Sequence, residues 1–266
     1  NYIPAIREQE KYPVENWFVR IDDPSDRLPD SIIARWPIQS ATGLQIVVDK
    51  TLRYKNNPPL GSWWNRAFVL TDDTFERYSQ ELLDTWIPPA MLTIQRHIAD
   101  YSLVDNIYLP ERLRIQTRAK TSPDATREII QILSQGAFLW DYFGHGAPNV
   151  LGNERMFFGG GSKYSDVHKL TNQTKLPMLW AYTCQTAEFD YPREKWNISI
   201  GEDMLTYPDG GMIALVGATG RGYPTDHIVL ARGMHQAAFR DRFSTLGQIF
   251  FAATLYGQDR KSTRLN

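Results

Sequence analysis

The chain of 266 residues is 42% hydrophobic and sets 29 lysine and arginine side chains against 30 acidic ones, a formal charge of -1. That length fits one large domain or two small ones, and the mixed, balanced charge argues against a nucleic-acid partner and gives no bias toward acidic substrates. A single cysteine, Cys184, excludes an internal disulfide and a clustered thiolate metal site.

In chain order, residues 1–17 carry no charged-then-apolar leader and read as the interior of a longer protein. Asn16 to Arg20 and Ser31 to Arg35 are short β-branched or aromatic segments that predict strands around a turn at Asp22, Asp23 and Asp26. Ser40 reads as the N-cap of a helix to Tyr54, with Leu44, Val47, Val48, Thr51 and Leu52 on one face. A buried strand at Ala67 to Leu70 leads into Asp72 and Asp73, and a helix with Phe75, Tyr78, Leu82 and Leu83 on one side follows. Pro88-Pro89 breaks it, and a second helical stretch is expected to about Tyr101, with His97 on it. Asn106 to Leu109 reads as a short strand. Ser122-Pro123-Asp124 opens a helix through Ile129 and Leu133 that Gly136 closes. No apolar run reaches the roughly 18 residues of a membrane-spanning helix.

The strongest strand signals are Ala137 to Phe143, Pro177 to Tyr182 and Gly211 to Val216, each a near-continuous apolar run of the kind covered on both faces. Strands alternate with helices, which predicts an α/β/α sandwich on a parallel sheet. Ligands of such sheets bind at the carboxyl ends of the strands. Those ends carry Asp72-Asp73, then Gly144-His145-Gly146, then Thr183-Cys184-Gln185, then the glycine loop Gly217 to Gly222.

A thiol, an imidazole and a carboxylate on one rim make the inventory for thiol acyl transfer. Cys184 would be the nucleophile, His145 the proton carrier, Asp72 the group orienting the ring, and the N–H groups of Gly146 and Cys184 the oxyanion donors. The bland alternative stays open at this point: a histidine ending a strand and a cysteine buried as a small apolar residue. His168, between His145 and Cys184, is a second choice for the base; His227 and His235 read as helix residues. Tyr182 and Tyr223 flank the rim and could wall a substrate pocket or simply pack, and Glu202 could meet a substrate amine or begin a helix. The glycine loop superficially matches a dinucleotide site, but Pro224 interrupts the helix that should follow, and no strand ending in an acid comes about 20 residues on.

An apolar strand, His-Gly, another apolar strand and then Cys is the pattern shared by caspases, legumains, separases and gingipains. The chain resembles the gingipain-type cysteine peptidases, relatives of the type IX secretion sortases, over nearly its whole length. Leu28-Pro29-Asp30, Arg35 and Pro37 resemble their segment ahead of a helix. Val47-Val48-Asp49-Lys50, Trp64 to Asp73, Tyr142 to Gly146, Leu170-Thr171-Asn172, Leu176-Pro177, Thr183-Cys184, Gly201-Glu202 and Gly210-Gly211 then follow in the family's order.

The resemblance implies a caspase-like α/β/α sandwich with a mainly parallel sheet. It places one peptidase domain over residues 1–260, with 1–60 ending an N-terminal subdomain, 61–260 forming the catalytic one, and 261–266 a disordered or foreign tail. It implies Cys184 as nucleophile, His145 as general acid/base, and Asp72, or Asp73 in its place, steadying the histidine. It also implies a protein or peptide substrate, no required cofactor, and a secreted or cell-surface location; relatives often bind structural calcium at acidic loops, and Asp22, Asp23 and Asp26 could do so here, although a solvated turn fits them better. Three departures stand out: Thr183 where relatives often carry Ala or Ser, no counterpart of the family's earliest strands, and no closing Gly-Asp-Pro segment.

Overall fold

A computed structural model of the chain describes residues 7–8, 12–13, 18–23, 29–72, 75–88, 91–98, 122–161, 163–190 and 198–262. The chain divides into two compact units, Ile38–Ser79 with Pro89–Arg221, and Asn1–Pro37 with Gln80–Pro88 and Gly222–Asn266. Two short antiparallel strands come first, β1 (Arg7–Glu8) and β2 (Tyr12–Pro13).

The first unit holds the sheet. The apolar runs form β3 (Arg66–Asp72), β5 (Leu139–Phe143), β9 (Met178–Tyr182) and β10 (Ala214–Gly217), and β4 (Leu92–Ile98) joins them. The spatial order is β10-β9-β5-β3-β4 and every neighbouring pair is parallel. Alternation along the strands sends Phe68 and Leu70, Trp140 and Tyr142, and Leu179 and Ala181 to one face. There they pack with Ile129, Ile132 and Leu133 of α3 (Pro123–Gln135) and with Ile200 and Met204 of α4 (Ile200–Thr206). Leu151 of β7 (Val150–Leu151) and Phe157 of β8 (Phe157–Phe158) complete this core; with β6 (Gly146–Ala147) those strands make a small antiparallel sheet.

α1 (Ala41–Asn56) begins where Ser40 caps it, the serine oxygen accepting the Gly43 N–H at 3.0 Å. The apolar face expected on this helix is only partly inward: Val47 is buried, whereas Leu44 and Leu52 are 44% and 51% exposed. The other buried side chain is Lys50, whose ammonium donates to the carbonyls of Met204, Leu205, Tyr207 and Gly210 at 2.7–3.2 Å. These carbonyls lie at and beyond the C-terminus of α4, where a cation offsets both the unsatisfied groups and the helix dipole. Burial, and then nearby Arg53, pull the Lys50 pKa down to about 7. The buried Asn172 amide joins the same knot, donating to Gly211 O and accepting from Gly211 N–H. Lys50, Asn172 and Gly210-Gly211 thus tie α1, the connector before β9 and the loop before β10 into one polar contact.

Five sequence expectations change here. The segment after Pro88-Pro89 is the strand β4 and not a helix, in register with β3 from Arg66–Leu92 to Asp72–Ile98. Its mixed run Leu-Thr-Ile-Gln-Arg-His-Ile is ambiguous at short range, and pairing with β3 decides it. Phe18 and Val19 form a 3-10 turn, and 31–39 carries no strand. Ser122 stands at the N-cap of α3 without a side-chain cap, its carbonyl accepting the Thr126 N–H instead. Pro224 starts a helix and does not interrupt one, because the first turn has no use for its missing N–H. The strand expected at Asn106 to Leu109 lies outside the described residues.

In the second unit, α5 (Pro224–His235) continues through a π-helical turn, 236–240, and α6 (Leu246–Ser262) follows. Gly233 lets the α6 backbone at Ala253 come close. Arg232 makes a two-pronged ion pair with Glu81 of α2 (Glu76–Thr85), at 2.6 and 2.5 Å. No helix among the described residues is long and apolar enough to cross a membrane.

Candidate active site

Phe143 of β5 is in register with Tyr182 of β9. Two residues further along each strand come His145 and Cys184, so both stand at one level beyond the carboxyl edge of adjacent parallel strands, which run about 4.8 Å apart. The two loops touch. A Cβ on Gly146 would come within 2.5 Å of Thr183 Oγ1 and 2.7 Å of the Cys184 carbonyl oxygen, so only glycine lets the His145 loop lie against the Cys184 turn.

The main chain of His145 is held on both sides. Its N–H donates to Asp72 Oδ2 at 3.1 Å, and its carbonyl accepts from the Tyr142 hydroxyl at 2.7 Å and from Gly152 N–H at 2.9 Å. Tyr142 is fully buried, and desolvation together with the Asp72 charge holds its phenol well above the usual range, so it stays a neutral donor. With its backbone fastened, His145 is exposed, and its ring meets that of Phe75 edge-on at 6.3 Å. Asp72 reaches His145 across Gly144, where any Cβ would collide with the Asp72 side chain and the Tyr142 ring. Asp73 lies outside the described residues.

The donors expected at an oxyanion can be followed through the ladder. Gly146 pairs with Leu151, and Gly152 N–H bonds His145 O. In an antiparallel pair that pattern makes Gly146–Leu151 the non-hydrogen-bonded couple. The ladder therefore leaves the Gly146 N–H unused, on the loop that faces Cys184.

Cys184 is half-buried and follows the buried Thr183. Gln185 next to it has φ 59°, and its N–H bonds Gly220 O at 2.9 Å; Ala187 N–H bonds Ala218 O at 3.0 Å. The glycine loop after β10 thus buttresses the cysteine turn, a use unlike that of a dinucleotide cradle.

The residues expected around a pocket make other contacts. Tyr182 is 1% exposed and stacks on Phe143 at 4.6 Å, beneath the pair and not beside it. Burial, followed by the charge of Asp141, raises its phenol pKa strongly. Glu202 closes a capping box at the start of α4, accepting Ser199 N–H at 2.8 Å and the Gln39 amide at 2.7 Å. Tyr223 precedes α5 in the other unit and is 75% exposed. His168 bonds Asp203 at 2.9 Å and stacks on Tyr207; Asp203 also gathers Ser165 Oγ and Gly161 N–H, which makes it the anchor of the 159–170 loop. His97 lies on β4, and His227 and His235 lie on α5 as expected. Asp22 and Asp23 sit in an exposed turn where Asp30 accepts the Ile21 and Asp22 N–H groups; Asp26 is outside the described residues. Among the described residues no cluster of His, Cys, Asp and Glu has the makings of a metal site.

Residues 1–265 match the model of peptidase family C25. The chain belongs to that family. Its fold is the caspase-like α/β fold of the gingipains: the crystal structure of the Arg-specific cysteine proteinase gingipain R (RgpB) is similar with a TM-score of 0.75 at 17% identity, over 97% of this chain and 56% of that one. The complex of Porphyromonas gingivalis RgpB pro- and mature domains is similar with a TM-score of 0.73 at 17% identity, over 97% and 58% of the two chains. The chain therefore spans a little over half the length of these solved relatives. No curated protein sequence matches it. Within this cysteine-peptidase family, the sequence missed Tyr142 and Gln185 as parts of the site; a tyrosine two residues before Gly-His and a residue forced to reverse the chain after Cys were the available signals.

Proposed function

We propose that this chain carries the catalytic centre of a cysteine endopeptidase in which Cys184 attacks and His145 carries the proton. The observation that supports it is the level placement of His145 and Cys184 beyond the paired Phe143 and Tyr182. The Cys184 thiolate adds to the scissile carbonyl carbon, and the oxyanion takes the N–H groups of Gly146 and Cys184. The C–N bond then breaks as His145 gives its proton to the departing amine, leaving a thioester. Water, deprotonated by His145, attacks the thioester, releases the carboxylic acid product and restores the thiolate. Asp72 supports His145 through its main chain. Substrates are proteins or peptides, and the enzyme acts outside the cell or on its surface, a reading that membership of peptidase family C25 supports.

The test is hydrolysis of a library of fluorogenic peptide amides, with and without an added amine, by wild-type protein and by Cys184→Ala and His145→Ala. Loss of turnover in both variants, with iodoacetamide alkylating Cys184 in the wild type, is expected. Normal hydrolysis by Cys184→Ala overturns the mechanism. Transfer to the amine in preference to water would make the enzyme a transpeptidase with the same two residues.

A further inference from the structure

Gln185 reverses the chain directly after the nucleophile. β9 and β10 run parallel with Ala181 level with Gly217, which puts Cys184 level with Gly220. By Ala187 the chain has turned back, because Ala187 N–H bonds Ala218 O while Gln185 N–H bonds Gly220 O. Cys184 is therefore the last residue travelling outward, and Gln185 makes the turn. It does so at φ 59°, in the left-handed region that residues with a Cβ seldom enter.

Such a conformation persists only where the surroundings over-determine it. Here they do. The Gln185 carbonyl accepts Glu188 N–H at 3.1 Å, its side-chain amide donates to Glu188 Oε2 at 2.8 Å, and the carbonyl of the buried Thr186 takes Gly201 N–H at 3.0 Å. The segment following the cysteine is thus pinned to the β10 loop, to itself and to the start of α4.

We infer that Gln185 is a positioning residue for Cys184: its left-handed backbone, clamped by Gly220 and Glu188, fixes where the cysteine sulfur and the Cys184 N–H point. The inference rests on the peptidase reading above. A β-branched residue is excluded from this backbone region far more strongly than glycine, which enters it freely.

The experiment compares wild type, Gln185→Val, Gln185→Gly and Gln185→Ala in the full-length polypeptide. It measures kcat and KM on the best-cleaved fluorogenic amide, the iodoacetamide alkylation rate of Cys184, and the thermal midpoint. Gln185→Val is expected to lower kcat about 10- to 100-fold with KM within about threefold, the scale of a small misplacement of a reacting group. Alkylation slows with it, Gln185→Gly recovers most of the lost kcat, and Gln185→Ala falls between. Equal kcat in the valine and wild-type enzymes, or a glycine variant as impaired as the valine one, overturns the inference. If the valine variant does not fold, alanine and glycine variants of equal kcat overturn it. Failure of the underlying reading looks different: wild-type protein without hydrolysis, or undiminished hydrolysis by Cys184→Ala.

Discussion

Asp72 holds His145 by its main chain, its Oδ2 accepting the His145 N–H at 3.1 Å. Thr71 is in register with Phe143, so Asp72 stands level with Gly144, and the missing side chain there opens the path between the carboxylate and the next amide. The carboxylate ends the pleat on the same face as Phe68 and Leu70, one residue out of step with His145.

That geometry separates two variants. Asp72→Ala removes a part-buried hydrogen bond to a charged acceptor from the His145 N–H, at a cost of about 1.5–3 kcal/mol, and frees the loop that carries the imidazole. Asp72→Asn keeps an oxygen in place. Alanine should therefore lower both thermal stability and kcat, and asparagine should retain most of the activity. Calorimetry and turnover on the same preparations check it; equal loss in both variants would mean that the charge acts, and not the main-chain bond.

Gly146→Ala puts a methyl group against Thr183 Oγ1 and the Cys184 carbonyl. Both are backbone or buried, so the loop must move. Overpacking of this kind costs about 1–3 kcal/mol. Turnover is expected to fall by about 10-fold or more, since the shift separates the two loops that carry the reacting groups. Steady-state kinetics beside a thermal melt distinguishes this from unfolding.

Lys50→Met removes a charged donor from four carbonyls at and beyond the end of α4. A loss of about 1.5–3 kcal/mol or more in urea denaturation is expected. The pH dependence has a definite sign. The folded pKa of about 7 lies below the ordinary 10.5, so between these values the unfolded chain binds more protons than the folded one. The stability of the wild type relative to Lys50→Met must then rise with pH from about 7 to about 10.5, by at most about 1.4 kcal/mol per unit. A difference that stays flat or falls across that range contradicts it.

Arg232 and Glu81 are each about one-third exposed, so their two-pronged contact is screened by solvent. Arg232→Lys forfeits the fork geometry and is expected to cost about 0.5–1 kcal/mol at low salt and less at high salt. Melting curves at two ionic strengths measure it.

Much of this was legible in one dimension because the signals were local. Continuous apolar runs mark strands covered on both faces, and β5, β9 and β10 formed within a few residues of where those runs predicted them. His145 and Cys184 follow two of these runs directly, so their place on the rim came with the strands. β4 was misread as helix because Leu92 to Ile98 is half polar, and an edge strand takes its identity from the neighbour it pairs with. Nothing in the order Val47-Val48-Asp49-Lys50 marks Lys50 as buried, and only α4 arriving with its carbonyls gives the ammonium a reason to be so.

The sequence by itself determined the alternation of strands and helices, the two residues best suited to thiol chemistry, and the glycines that flank the histidine. Strand propensity, capping and turn chemistry act over a few neighbours, and the residue order carries them in full. Tertiary structure alone decided that Asp72 grips the His145 main chain, that Glu202 and Tyr182 serve packing and capping, and that Gln185 must turn left-handed after Cys184. Each of those depends on which strand lies beside which and in what register, a relation between residues dozens of positions apart that only hydrogen-bonded pairing in space can set.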